Sequence, residues 1–141
     1  MTVGLLGMAG LQTYSLKNNT SAYHRSQANT LAYDILDSMR ANRGAALKDE
    51  YDHAYTASAP TASTSQANSD IYHWRKNLSY YLPMGIGGID CSIVEFDEEG
   101  RARSVACMVN VLWDDNRRLP VNESCASSPA SCQQMLVSTR L

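Results

Sequence analysis

Between Gly4 and Asn42 the chain contains no proline, and Ala28, Leu31, Ala32, Ile35, Leu36 and Met39 recur at offsets of 0, 3, 4, 7, 8 and 11 residues. This spacing places all six side chains on one face of an α-helix. The opposite face carries Arg25, Asn29, Asp34, Asp37 and Arg40, and Gly44 follows the last periodic residue, where a helix stop is expected. The pattern predicts a helix over residues 1–43. At 1.5 Å per residue, a continuous helix of about 40 residues would reach about 60 Å, twice the diameter of a small domain. Its first half must therefore project from the globular body or pack on something outside this chain. The composition there fits that reading, because Val3 to Leu11, "VGLLGMAGL", holds no polar side chain. A membrane-spanning helix needs roughly 20 consecutive apolar residues, and this run stops at Gln12, so as written it does not cross a bilayer. No basic leader precedes it and no small-residue cleavage site follows it, which excludes a secretory signal peptide.

Beyond the helix, residues 44–70 read as a connecting loop, with "TASAPTASTSQANS" (56–69) its most loop-like part by composition. A short helix is predicted over 71–82, where Ile71, Trp74, Leu78 and Tyr81 or Leu82 share a stripe; Ser69 or Asp70 would cap it and Pro83 would end it. The glycines of "PMGIGG" are expected to let the chain turn from this helix into a sheet. Residues 88–141 read as an antiparallel sheet and a disulfide region, with apolar residues alternating on both sides of "DEEG". If the loop is Glu98, Glu99 and Gly100, with Gly100 left-handed, paired residue numbers sum to 198 and Cys91 falls opposite Cys107. The same register sets Ile89, Cys91 and Ile93 on one apolar face with Val105, Cys107, Val109 and Val111. Four cysteines allow three connectivities. The hairpin selects Cys91–Cys107, which leaves Cys125–Cys132 as the second pair, just before a final strand "QMLVSTRL". Two disulfides point to an oxidising compartment.

The length of 141 residues suits one domain. A net charge of −2 with scattered Lys and Arg lacks the basic patch of a nucleic-acid binder. His24, His53 and His73 keep no metal-ligand spacing and read as surface histidines. Glu98-Glu99 and Asp114-Asp115 lie where turns are expected, so they read as turn residues capping their own backbone rather than as a catalytic carboxylate pair. No nucleophile elbow, phosphate loop or dinucleotide fingerprint is present. No catalytic residue, cofactor or metal is expected. Tyr51, Tyr55, Tyr72, Trp74, Tyr80 and Tyr81 cluster in the middle of the chain, a composition that serves either an interface or a core.

Taken in order, "GLLGMAGLQTYSLKNNTSAYHRSQANTLAYDILDSMRANR", "YYLPMGIGGI", "VLWDDNRR" and the closing "LVSTRL" resemble the landmarks of PilV-type minor pilins of type IV pili. The likeness runs along nearly the whole chain and is weakest over "TASAPTASTSQANS". It implies an α+β type IV pilin fold: a long N-terminal helix on an antiparallel sheet, a short second helix and two disulfides, all in one domain over 1–141. It also implies a non-enzymatic subunit that joins other minor pilins in the complex priming pilus assembly, sits at the pilus tip and carries an adhesin partner there. Pilins of this class open with a basic leader, a peptidase site after glycine, a phenylalanine-like first mature residue and a glutamate at the fifth mature position. These features are not in the sequence, and the expectation is that leader and outer helix half have been cut away, leaving Met1-Thr2 as an added start. The full-length protein would wait in the inner membrane through that missing half, with its domain in the periplasm. Val3, Leu5, Leu6, Met8 and Leu11 are then the residues expected to contact neighbouring subunit helices. Ala28, Leu31, Ile35, Leu36 and Met39, with Trp74, are expected to join helix to sheet. Minor pseudopilins of type II secretion systems share the same plan. A stand-alone periplasmic domain binding a small ligand is a third reading, which leaves a protruding helix unexplained.

Overall fold

A computed structural model describes residues 2–115 and 132–141, with side chains from residue 7 onward. Helix α1 runs over Thr2–Ala41, a single-turn α2 over Arg43–Ala46 and α3 over Gln66–Tyr81. Three strands follow: β1 (Ile86–Phe96), β2 (Ala102–Trp113) and β3 (Gln133–Arg140). They form one antiparallel sheet in the order β1-β2-β3. The described residues are thus α+β, with a long N-terminal helix over a three-stranded antiparallel sheet.

The stripe on α1 drives the packing. Ala28, Leu31, Ala32, Ile35, Leu36 and Met39 are all buried in one core with Ile71, Trp74 and Leu78 of α3 and Ile89, Val105, Cys107, Val109 and Val111 of the sheet. Burying a leucine, isoleucine or methionine side chain is worth about 1.5–3 kcal/mol, so Leu31, Ile35, Leu36 and Met39 supply most of what fixes α1 to the body. Trp74 locks the two helices together, because its indole N–H donates to the Leu31 carbonyl at 2.9 Å. Beneath it Gly87 is needed for close approach: a Cβ there would sit 2.4 Å from Trp74 Cη2 and 2.5 Å from Leu78 Cδ1. Of the glycines of "PMGIGG", Gly85 and Gly87 therefore serve contact with α3, and Gly88 lets the backbone of His53 and Tyr55 approach. The left-handed turn between helix and sheet falls instead on Met84, with φ 55°.

Three boundaries differ from expectation. Gly44 does not stop the helical run; α1 ends at Ala41, Asn42 departs from helical geometry, and α2 then adds a turn that buries Ala45 and Ala46. Helix α3 begins five residues before the predicted 71–82 segment and ends at Tyr81. Ser65, not Ser69 or Asp70, is its cap: its Oγ accepts from the Asn68 N–H at 3.1 Å, satisfying one of the donors left open at a helix start. Ala67 is buried and extends the stripe of Ile71, Trp74 and Leu78 back by one turn. Strand β1 starts at Ile86, two residues before the predicted sheet region.

The hairpin register is as its spacing predicts for most of its length. Cys91 opposes Cys107 and Ile93 opposes Val105, and the pairing extends to Ile86 opposite Leu112. Gly100 is left-handed at φ 77°. Asp97 Oδ1 accepts from the N–H groups of Glu99 and Arg101, which holds the turn closed. A bulge between Ile93 and Phe96 sets Glu95 opposite Ser104, so the sum rule slips locally there. The Cys91–Cys107 disulfide is formed, with Cα atoms 4.1 Å apart, as suits the narrow, non-hydrogen-bonded pairs of an antiparallel ladder. The Cys125–Cys132 pairing involves Cys125, which lies outside the described residues.

Candidate functional site

From Gly7 to Thr20 every residue of α1 is exposed, and Ala28 is the first to be fully buried. Met8 is 63 % exposed, Leu11 72 %, Tyr14 68 % and Leu16 68 %. At 100° per residue these four side chains spread over about 200° of the helix circumference, wider than one core stripe, while Thr13, Lys17 and Thr20 occupy the remaining side. The hydroxyls of Thr13 and Thr20 donate back to the carbonyls of Ala9 and Leu16, both at 2.9 Å, so neither needs water when the surface is covered. Of the residues expected to contact other subunits, Met8 and Leu11 are on this exposed segment, and Val3, Leu5 and Leu6 lie in the first turns of the same helix. Among the described residues no helix is long and apolar enough to cross a membrane.

The exposed segment is clasped where it leaves the body. Asp115, just past β2, receives the Ser21 hydroxyl on Oδ2 at 3.0 Å; its Oδ1 receives His24 Nδ1 at 2.8 Å and Trp113 Nε1 at 3.0 Å. One position on, Arg25 donates to Gln133 Oε1 of β3 at 2.9 Å. An ionised carboxylate only accepts, so His24 presents a protonated Nδ1 to it. The Ser21 hydroxyl bonds to the carboxylate and not to the imidazole, so the group has no nucleophile-base contact and works as a fastener. His24 thus departs from expectation, since it is not a free surface group, and Asp115, expected as a turn residue, also binds helix and indole. Ser21 and His24 continue the buried stripe backwards from Ala28 at helical spacing, and that polar extension is the signal that could have revealed them.

A second polar cluster fastens the connecting segment to α3 and the sheet. Arg75 donates to the carbonyls of Ala57 (2.6 Å) and Tyr55 (3.3 Å) and to His53 Nε2 (2.9 Å). His53 in turn exchanges backbone hydrogen bonds with Ile89 at the outer edge of β1, both 2.8 Å. Nearby the buried Tyr51 hydroxyl accepts from Asn42 Nδ2 and donates to Asp70 at 2.5 Å, joining the end of α1 to α3. Burial, with that bond to Asp70, holds the Tyr51 hydroxyl well above its ordinary pKa. Burial, and then the Arg75 charge, lower the pKa of His53 below its ordinary 6.5.

The His53 shift has a consequence for stability. The unfolded chain takes up the proton first as pH falls, so the stability contributed by neutral His53 is complete above 6.5 and is lost between 6.5 and the lower folded pKa. Urea melts of the wild type and of His53→Gln should diverge across that window, the wild type losing stability with acid more steeply. Parallel curves would overturn this assignment.

The aromatic cluster divides between core and surface. Tyr51 and Trp74 are buried, whereas Tyr80 is 82 % exposed and Tyr55 and Tyr81 are also exposed. Among the described residues no three His, Cys, Asp or Glu side chains come together in a way that could hold a metal ion. No protein-family model, curated protein or solved structure matches this chain.

Proposed function

We propose that this chain is a minor pilin subunit of the PilV type, without catalytic activity, which primes type IV pilus assembly and sits at the pilus tip. The observation that carries the reading is the division of α1: its second half is buried against the sheet, and from Gly7 to Thr20 it is exposed, with Met8, Leu11, Tyr14 and Leu16 open to solvent. Such a segment suits packing among the helices of other subunits. The partners on this reading are other minor pilins, with an adhesin at the tip. In the full-length protein an outer helix half anchors the subunit in the inner membrane before assembly. The Cys91–Cys107 bridge suits a periplasmic and then extracellular location.

Capture by purified minor pilins tests the proposal. The double variant Met8→Asp, Leu11→Asp should lose capture by at least about tenfold, equivalent to about 1.4 kcal/mol. Its thermal melt should match the wild type, because both residues lie far outside the core. Undiminished capture would refute the assigned surface. Selective capture of the wild type by minor pseudopilins of a type II secretion system would reassign the chain to that machinery.

A further inference from the structure

The two edges of the sheet are treated differently. An unpaired edge strand invites another strand, and proteins usually blunt it with bulges, charges or covering segments. On β1 the Ile89 position is taken by His53, and the bulge between Ile93 and Phe96 breaks the run further along. Among the described residues strand β3 has neither device. It is regular over eight residues, holds no proline, lysine or carboxylate, and pairs only with β2 among the described residues.

Its ladder parity follows from one pair. Val105 and Leu141 exchange hydrogen bonds at 3.1 and 2.8 Å, so Thr139, Val137 and Met135 also bond towards β2. The N–H and C=O groups of Gln134, Leu136, Ser138 and Arg140 therefore point away from the sheet. The Leu136 side chain is 53 % exposed beside them.

The surroundings of this edge are basic although the chain as a whole carries −2. Arg25 and Arg40 of α1 reach over to Gln133 and Thr139. Arg140 ends the strand, and Arg43, bonded to the Arg103 carbonyl, brings a further guanidinium group to the same corner. Asp37 pairs with Arg40 and Glu95 with Arg140, while Arg25 and Arg43 form no ion pair with a carboxylate among the described residues. We propose that the open edge of β3 is a docking site for an acidic, extended segment of another polypeptide, which adds to the sheet as a fourth strand. Backbone pairing supplies the ladder, an apolar residue covers Leu136, and carboxylates meet the arginines. A second copy of this chain fits poorly, since β3 pairing with β3 would set Arg25, Arg40 and Arg140 of both copies along one seam. The inference does not depend on the pilus reading and can fail separately from it.

The test uses the whole chain, isotope-labelled for amide exchange, with a short capped peptide alternating glutamate with valine and a lysine-valine counterpart. The acidic peptide should slow exchange at Gln134, Leu136, Ser138 and Arg140 and leave Cys91 and Ile93 unchanged. Ser138→Pro removes one outward N–H without touching the bonds to β2, a position where an edge strand tolerates proline. It should weaken binding at least about tenfold while its circular dichroism and melting stay those of the wild type. Arg25→Glu with Arg40→Glu should shift preference towards the lysine peptide. Absence of protection, equal binding of both peptides, or full affinity in folded Ser138→Pro would overturn the proposal. Self-association abolished by Ser138→Pro would overturn it in favour of pairing between copies.

Discussion

Trp74→Ala should cost about 3–5 kcal/mol, the range for removing a large aromatic side chain from a packed interior. It should also lower the melting temperature by on the order of 10 °C for a domain of this size. The indole is 4 % exposed and meets α1, α3 and β1 at one place. Its N–H is the partner of the Leu31 carbonyl, and its ring covers the surface left bare by Gly87. Truncation leaves a cavity and takes from the Leu31 carbonyl the bond it accepts beyond its helical one, and the neighbours cannot close in, because α1 is held at either side by the Asp115 clasp and by Tyr51. Trp74→Phe separates the two terms. It keeps most of the ring and loses the donor, so about 1–2 kcal/mol should remain as its cost. Tyr80→Ala, at a side chain 82 % exposed, should stay within about 0.5 kcal/mol of the wild type. Urea unfolding of the three variants decides the matter, and a Trp74→Ala loss no larger than that of Tyr80→Ala would show that the helices are not joined through this residue.

What could be read from the sequence was whatever repeats with a short period. The stripe from Ala28 to Met39 and the alternation around "DEEG" are local signals, and each became a buried face. The protrusion of α1 followed from length alone, since about 60 Å of helix exceeds a small body. The start of α3 was not legible because "TASTSQANS" offers several side chains able to cap a helix. Which of them does so depends on Ala67 finding a place in the core. The clasp was hidden for another reason: Ser21 and His24 meet Asp115 across 94 and 91 residues. Asp115 sits in a stretch, "WDDNRR", whose composition reads as a simple turn. Arg75 and His53 met the same fate, a pair 22 apart whose link depends on how the connecting segment folds back onto β1. Periodicity thus located the faces, and chemistry shared between distant segments escaped it. The exposed half of α1 lies between these cases, visible as apolar composition but given its meaning only by the point where Asp115 lets it go.

Replacing both Cys91 and Cys107 by alanine should lower stability by about 3 kcal/mol, the value expected from closing a loop of this length in the unfolded chain; the two residues lie 16 apart. The loss should appear in stability and not in register. Three other features hold Cys91 opposite Cys107 without the covalent bond. Asp97 and Gly100 fix the turn, with Asp97 accepting two backbone N–H groups at 3.0 and 2.8 Å. Ile89, Val105, Val109 and Val111 are all buried on one side, and a one-residue slip would carry whichever strand moved to the solvent face. Strand β3 reads the other edge of β2 in the same frame, with Val109 opposite Val137. The double variant should therefore keep the cross-strand contacts of the wild type in nuclear Overhauser spectra while its urea midpoint falls. A midpoint unchanged from the wild type would mean that the bridge adds nothing the turn and the apolar face do not already supply. A shifted register would mean that it selects the pairing itself, a task the turn geometry assigns to Asp97 and Gly100.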